Sequence, residues 1–281
     1  MKLFIFGMGY TSQVIAARLR AAGWEVTGTG REGTLRFEDR EAVHAALGEA
    51  SHVLSSVPPA REGGDPVLET YGAALQAAPA RWIGYLSSTG VYGDTGGAWV
   101  DESAEVGTGR RSARTAADLA WQALDARVRV FRLPGIYGPG RSALDRVRDG
   151  AARRIALENQ VFSRVHVEDI ASGVIAGMAG PAGVYNLGDD EPSSQNVVIE
   201  EAARLLGVEP PPLQSLEEAA LSPMALAFYA ENRRVANGKA KRVLGWRPAY
   251  PTYREGLRAL NATTSPIIAS VAPEPASSDQ R

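Results

Sequence analysis

Leu3-Phe4-Ile5-Phe6-Gly7-Met8-Gly9-Tyr10-Thr11-Ser12 opens the chain and decides its architecture. Four consecutive apolar residues suit a strand buried on both faces. The glycines then turn the chain, and Gln13 to Ala22 continues as an amphipathic helix. Strand, glycine turn and helix in that order form a pyrophosphate cradle. The first glycine takes the tight turn, the second lets amide N–H groups approach the phosphates, and the helix N-terminus adds its positive dipole end. Ser12 stands where a third glycine would, and a small residue suffices there for close packing. The stretch predicts a dinucleotide site formed by Gly7, Gly9, Tyr10, Thr11 and Ser12.

The second predicted strand, Glu25–Thr29, ends at Gly30-Arg31. NAD-selective folds place an Asp or Glu here, about 20 residues after the glycines, on the ribose 2′-OH. No acid stands at Thr29, Gly30 or Arg31. A guanidinium pairs with phosphate in a charge-assisted, bidentate way, so Arg31 points to the 2′-phosphate of NADP, with NAD as the alternative.

Composition narrows the function classes. The chain has 281 residues, a net charge of −2 and no cysteine. That excludes disulfides, thiolate catalysis and zinc–cysteine sites, and gives no sign of nucleic-acid or membrane-surface binding. His44, His52 and His166 lie too far apart for a metal motif. With no long apolar run and no leader, the expectation is a cytoplasmic protein.

Alternating strand-like and helix-like segments argue for a parallel sheet covered by helices. Predicted strands are Lys2–Phe6, Glu25–Thr29, His52–Val57, Arg81–Ser87 and Arg129–Leu133. Predicted helices are Ser12–Ala22, Arg40–Leu47, Pro66–Ala78, Ser112–Ala126 and Val167–Met178. After about residue 134 the alternation loosens. Residues 1–133, with a returning segment at about 161–180, are expected to form a dinucleotide-binding domain. Residues 134–160 and 181–260 would form a substrate lobe, and 261–281, rich in Ala, Ser, Thr and Pro, a flexible tail.

Five motifs in order resemble the extended short-chain dehydrogenase/reductases, the nucleotide-sugar epimerase and dehydratase group. They are Leu86-Ser87-Ser88-Thr89-Gly90-Val91-Tyr92-Gly93, Arg132-Leu133-Pro134-Gly135-Ile136-Tyr137-Gly138-Pro139-Gly140 and Arg164-Val165-His166-Val167-Glu168-Asp169-Ile170-Ala171. Val184-Tyr185-Asn186-Leu187-Gly188 and Lys241-Arg242-Val243-Leu244-Gly245-Trp246-Arg247-Pro248 complete the set. The resemblance implies an α/β class: a Rossmann-type doubly wound parallel sheet with a smaller C-terminal substrate lobe. It implies that the backbone near Val57, Pro58, Ser87 and Pro134 passes the cofactor, and that Ser88 and Thr89 face the substrate. It also implies a homodimer through Pro66–Ala78 and Ser112–Ala126, with Leu119, Trp121 and Leu124 as apolar surface.

The chain departs from the family where its chemistry lies. The family's Tyr-x-x-x-Lys pair has no counterpart, since no tyrosine or lysine occurs between Asp94 and Trp121. Arg110 falls on the tyrosine position and Arg114 on the lysine position, which resembles the atypical members that lose this dyad. The two share a helix face at i and i+4. They either clamp an anion, with Arg114 also reaching the cofactor ribose, or form a solvated helix start with Asp118 paired to Arg114. Arginine is a poor general acid or base. The resemblance implies the catalytic candidates: Ser88 matches the family's catalytic Ser/Thr, and Tyr92 and Tyr137 match positions that pack or line the pocket and offer a substitute phenol, while Asp169 is expected to cap the helix from Ile170. The reading is an NAD(P)-binding epimerase-, dehydratase- or reductase-like enzyme acting on a small or nucleotide-linked anionic substrate. The alternative is an NADP-binding sensor without turnover.

Overall fold

The computed structural model describes residues 1–107 and 112–264. Its first half runs β1 (Lys2–Phe6), α1 (Tyr10–Ala21), β2 (Glu25–Gly28), α2 (Arg40–Glu49), β3 (His52–Ser55), α3 (Pro66–Ala77), β4 (Trp82–Ser88), β5 (Trp99–Val100), α4 (Ser112–Leu124) and β6 (Val128–Leu133). There follow β7 (Gly135–Tyr137), α5 (Ala143–Arg148), β8 (Arg154–Ile155), β9 (Arg164–His166), α6 (Val167–Ala179) and β10 (Gly183–Asn186). The chain continues through α7 (Gln195–Leu206), β11 (Leu213–Gln214), α8 (Pro223–Tyr229), β12 (Arg234–Val235), α9 (Gly238–Leu244) and α10 (Tyr253–Thr264).

Six parallel strands form the main sheet in the order β10-β6-β4-β3-β1-β2. The alternation inside β1 shows why it sits centrally. Leu3 and Ile5 enter one core, with Ile15 and Leu19 of α1 and Ile170 and Val174 of α6. Phe4 and Phe6 enter the opposite core, with residues of α2, α3 and α4. From β1 the chain steps outward to β2, then crosses back to β3 on the other side. The strand order reverses there, and a crevice opens at the carboxyl ends of β1 and β3, where doubly wound sheets bind ligands. Among the described residues the position outside β2 holds no strand, only a single parallel bridge from Leu35 to Thr29.

The second lobe packs α5, α7 and α10 around Leu144, Val198, Tyr253 and Leu257. Three expectations need correction. Gly183–Asn186 pairs with β6 as the sixth strand of the main sheet, not in the substrate lobe, because its Tyr185 is buried in the sheet core. Helix α10 continues to Thr264, so the tail does not begin at residue 261; residues from 265 lie outside the described residues. Trp121 is fully buried, stacked on Tyr85 with ring centroids 4.9 Å apart, and offers no outer surface. No helix among the described residues is long and apolar enough to cross a membrane.

The cap of α6 is also not Asp169. His166 is the N-cap, its Nδ1 accepting from the Glu168 amide at 3.2 Å. The buried Asp169 carboxylate instead accepts from the amides of Ala249 and Tyr250, at 2.6 and 3.0 Å, and so pins the segment before α10. Asp169→Ala strips both amides of their acceptor. It should destabilise the protein by about 1.5–3 kcal/mol, the scale of a hydrogen bond to a charged group, seen as a lower urea midpoint at unchanged slope.

Candidate functional site

The turn between β1 and α1 has the geometry a phosphate cradle needs. Gly7 lies at φ +85°, and a Cβ there would stand 2.9 Å from Ser56 Oγ. Ser12 Oγ donates to Ser56 Oγ at 2.8 Å, and Ser56 Oγ donates to the Gly7 carbonyl at 2.6 Å. This relay fixes the turn against the end of β3. Gly9 caps α1 without a side-chain acceptor, so the first-turn amides face outward unspent. The Thr29-Gly30 turn closes the other side, with the Met8 amide donating to the Thr29 carbonyl at 2.6 Å.

A cavity of about 440 Å³ opens from this turn. Of the residues singled out from the sequence, Gly9, Tyr10, Thr11, Ser87, Ser88, Thr89, Arg114 and Pro134 line it together. Gly7 and the buried Ser12 shape the turn from behind, and the Val57 side chain packs against Gly7. Pro58 and Arg31 are exposed at the periphery. Arg110 lies outside the described residues. Sequence reasoning missed Ser56, Arg141, Phe162, Phe228 and Arg233, which also line the cavity. Arg141 had a signal, since it directly follows Gly138-Pro139-Gly140. Arg233 had none, because it arrives from a distant segment.

Neither candidate phenol joins this cavity. Tyr92 is 1% exposed, donates to Asn186 Oδ1 at 2.8 Å and accepts from Arg132 at 3.0 Å. Burial raises its pKa, which removes it further from proton exchange. Tyr137 instead lines a second cavity, and burial raises its pKa strongly. Ser88 faces the first cavity while its Oγ accepts from the Gly90 amide at 3.1 Å.

The Asp118–Arg114 pair, part of the alternative reading of this helix start, does not form. Asp118 is fully buried and bound by Arg132 at 2.8 and 3.1 Å, by Ser87 Oγ at 2.5 Å and by Gln122 at 2.6 Å. Arg114 turns to the cavity beside Tyr85. Its charge offsets part of the rise that burial imposes on the Tyr85 hydroxyl, which makes no well-formed hydrogen bond. Arg141 stands over the Tyr10 ring at 5.8 Å, and Arg233 pairs with Glu231 at 2.9 Å. Among the described residues Arg114, Arg141, Arg233 and Glu231 are the ionic side chains of the wall, so its balance is positive.

Beyond this wall Asp189 is 2% exposed, with neither carboxylate oxygen hydrogen-bonded. Burial pushes its pKa up to about 8 from an ordinary 3.8, while nearby Arg164 opposes the rise. Between these values the native state holds a proton that the unfolded chain has lost. Stability should therefore fall as pH rises from about 4 to about 8, and this contribution should be level above it. Asp189→Asn should flatten that decline, as read from urea midpoints across the range.

No family model matches the chain. Protein YeeZ of Escherichia coli K12 is 30% identical over 239 residues, which cover 75% of this chain and 85% of that protein. A functionally unknown conserved protein from Silicibacter pomeroyi, of solved structure, is 44% identical with a TM-score of 0.84, covering 93% of this chain and 98% of its own. The human epimerase family protein SDR39U1, solved with NADPH, superposes with a TM-score of 0.75 at 17% identity, covering 93% and 99% of the two chains. At that identity it speaks for the fold alone.

Proposed function

This chain belongs to the NAD-dependent epimerase/dehydratase family of extended short-chain dehydrogenases/reductases, and on that premise we propose that it is an NADP(H)-dependent enzyme acting on a small anionic substrate. One observation carries the proposal. The uncapped N-terminus of α1, the strand-end hydroxyls of Ser87, Ser88 and Thr89, and the guanidinium groups of Arg114 and Arg141 meet around one cavity. The positive φ of Gly7 and the open face of Gly9, where a Cβ would meet nothing within 4 Å, let a pyrophosphate approach the backbone. Tyr10, Thr11 and Ser12 would present their amides to it, and Arg31, exposed beside the Thr29-Gly30 turn, would take the 2′-phosphate. The domain division follows: the six-stranded sheet holds the cofactor, and the α5–α7–α10 lobe closes over the substrate.

When bound, the nicotinamide supplies hydride exchange. The protein residues orient and neutralise the substrate: Ser88 offers its hydroxyl, and Arg114 and Arg141 hold the anionic group. Serine does not exchange protons unaided at neutral pH, and Tyr92 is committed to Asn186 and Arg132. Any proton the reaction needs would come from water or from the substrate itself.

Fluorescence titration with NADPH and NADH tests the cofactor, and NADPH oxidation against a panel of small carboxylates and phosphates tests turnover. Absence of saturable binding by either nucleotide would sink the proposal. Tight NADPH that no substrate oxidises would favour a cofactor-sensing role. Arg31→Ala should weaken NADPH by about 1–3 kcal/mol and leave NADH unchanged; equal losses would remove Arg31 from the 2′-phosphate site. We also propose a homodimer through the outer faces of α3 and α4, where Leu119 is 49% exposed beside exposed Ala116, Ala120 and Ala123. A monomer in sedimentation at micromolar concentration would overturn it.

A further inference from the structure

A second cavity, of about 530 Å³, lies against the first, behind the paired strands β7 and β9. Ile136, Arg141, Phe162 and Phe228 belong to both walls, so the two spaces adjoin at these side chains. Its inner wall is apolar, from Val198 of α7 and Tyr253 and Leu257 of α10. At its mouth the rings of Phe162 and Phe228 stack with centroids 4.5 Å apart, although Phe228 remains 45% exposed.

Two polar features of this wall point to a ligand. The Tyr137 side chain is 8% exposed and its hydroxyl has no hydrogen-bond partner. That hydroxyl ends against Gly256, on the same helix that supplies Tyr253 and Leu257. A buried donor without an acceptor is costly, and an oxygen brought by a ligand would relieve it. At the junction, Arg141 is exposed, makes no ion pair among the described residues and reaches both spaces. Arg146 and Arg164 line the second cavity along with Asp145 and Asp149, so with Arg141 its cations outnumber its carboxylates and an anionic group is favoured there.

We propose that the second cavity is the body pocket for the substrate: an aryl carboxylate whose anionic group rests on Arg141 and whose ring enters between Phe162, Phe228, Val198 and Leu257. The Tyr137 hydroxyl donates to an oxygen of the ligand at the inner wall. This rests on the reading of the first cavity as the cofactor and substrate site, and it adds the class of substrate that site takes. An apolar pocket with a few convergent polar groups is what small-ligand sites generally offer.

Calorimetry on the NADPH-saturated protein, with 3-(4-hydroxyphenyl)propanoate, 3-phenylpropanoate and acetate as probes, tests the assignment. Both aryl acids should bind at least about tenfold more tightly than acetate, since burial of the ring supplies the difference. Val198→Trp, which fills the inner wall, should weaken both aryl acids by about tenfold or more while NADPH affinity stays unchanged. Tyr137→Phe removes one oxygen and serves should Val198→Trp fail to fold. It should weaken the hydroxylated acid by about fivefold and spare 3-phenylpropanoate. Aryl acids binding no better than acetate, or binding unaltered by both variants, would overturn the proposal. Loss of NADPH binding in the wild type would instead strike the reading of the first cavity, and the titration separates the two failures.

Discussion

The Asp118–Arg132 ion pair is the constraint from which the site's character follows. Both side chains are buried, and each is saturated by polar neighbours: Asp118 by Ser87 and Gln122, Arg132 by Tyr92. A buried pair of this kind is strongly destabilising to break, because the survivor is left as an uncompensated charge. It ties α4 to the ends of β4 and β6, and therefore fixes where the cavity wall stands. It also decides which groups are free. With its carboxylate consumed by Arg132, Asp118 cannot neutralise Arg114, and the guanidinium remains to face the cavity. With Tyr92 drawn into the same network, the phenol is withdrawn from chemistry. One interaction thus leaves the Arg114 charge to the wall and takes the Tyr92 phenol away from it.

The fold was legible in the sequence to a large extent, for reasons that are local. The Phe4/Phe6 and Leu3/Ile5 alternation, the glycine turn and the amphipathic helix after it each express a period or a backbone requirement that needs no tertiary information. Helix and strand limits came within a few residues for that reason. What was not legible depended on where distant segments meet. Whether Gly183–Asn186 joins the sheet or the lobe is settled by the burial of Tyr185 against Phe131, and no spacing announces that. Asp169 has the ordinary look of a capping residue, yet its partners lie about eighty positions later, at Ala249 and Tyr250.

The site divides the same way. Residues within or just after motifs, Gly9, Tyr10, Thr11, Ser87, Ser88 and Thr89, lie together around the first cavity, at the turn and the strand ends. Tyr137 belongs to a motif too, but the one-residue alternation of a short strand sends its ring away from the Ser88 side. The cationic wall is assembled from α4, from the loop after β7 and from the segment before β12, three regions that share no pattern in sequence. Its sign could not be read from the overall charge, which is close to neutral. A near-neutral protein can still focus positive potential in a cleft, because low-dielectric walls concentrate the field of the few charges that line it.

The missing strand outside β2 has a consequence for the protein's behaviour in a crowded solution. The sheet ends on β2 at one side and β10 at the other, each four residues long. Open sheet edges are templates on which another chain can add a strand, and proteins blunt them by keeping them short and by covering or charging them. Here the outer side of β2 is met by the Leu35 bridge at its carboxyl end, and the charged Glu25 stands at its start. At the far edge, the Arg129 guanidinium reaches the Gly180 carbonyl just before β10, and Lys239 lies over the Tyr185 ring. Neither edge presents the long, flat, apolar ladder on which fibrils nucleate, so the brevity of the outermost strands leaves little template for adding a strand.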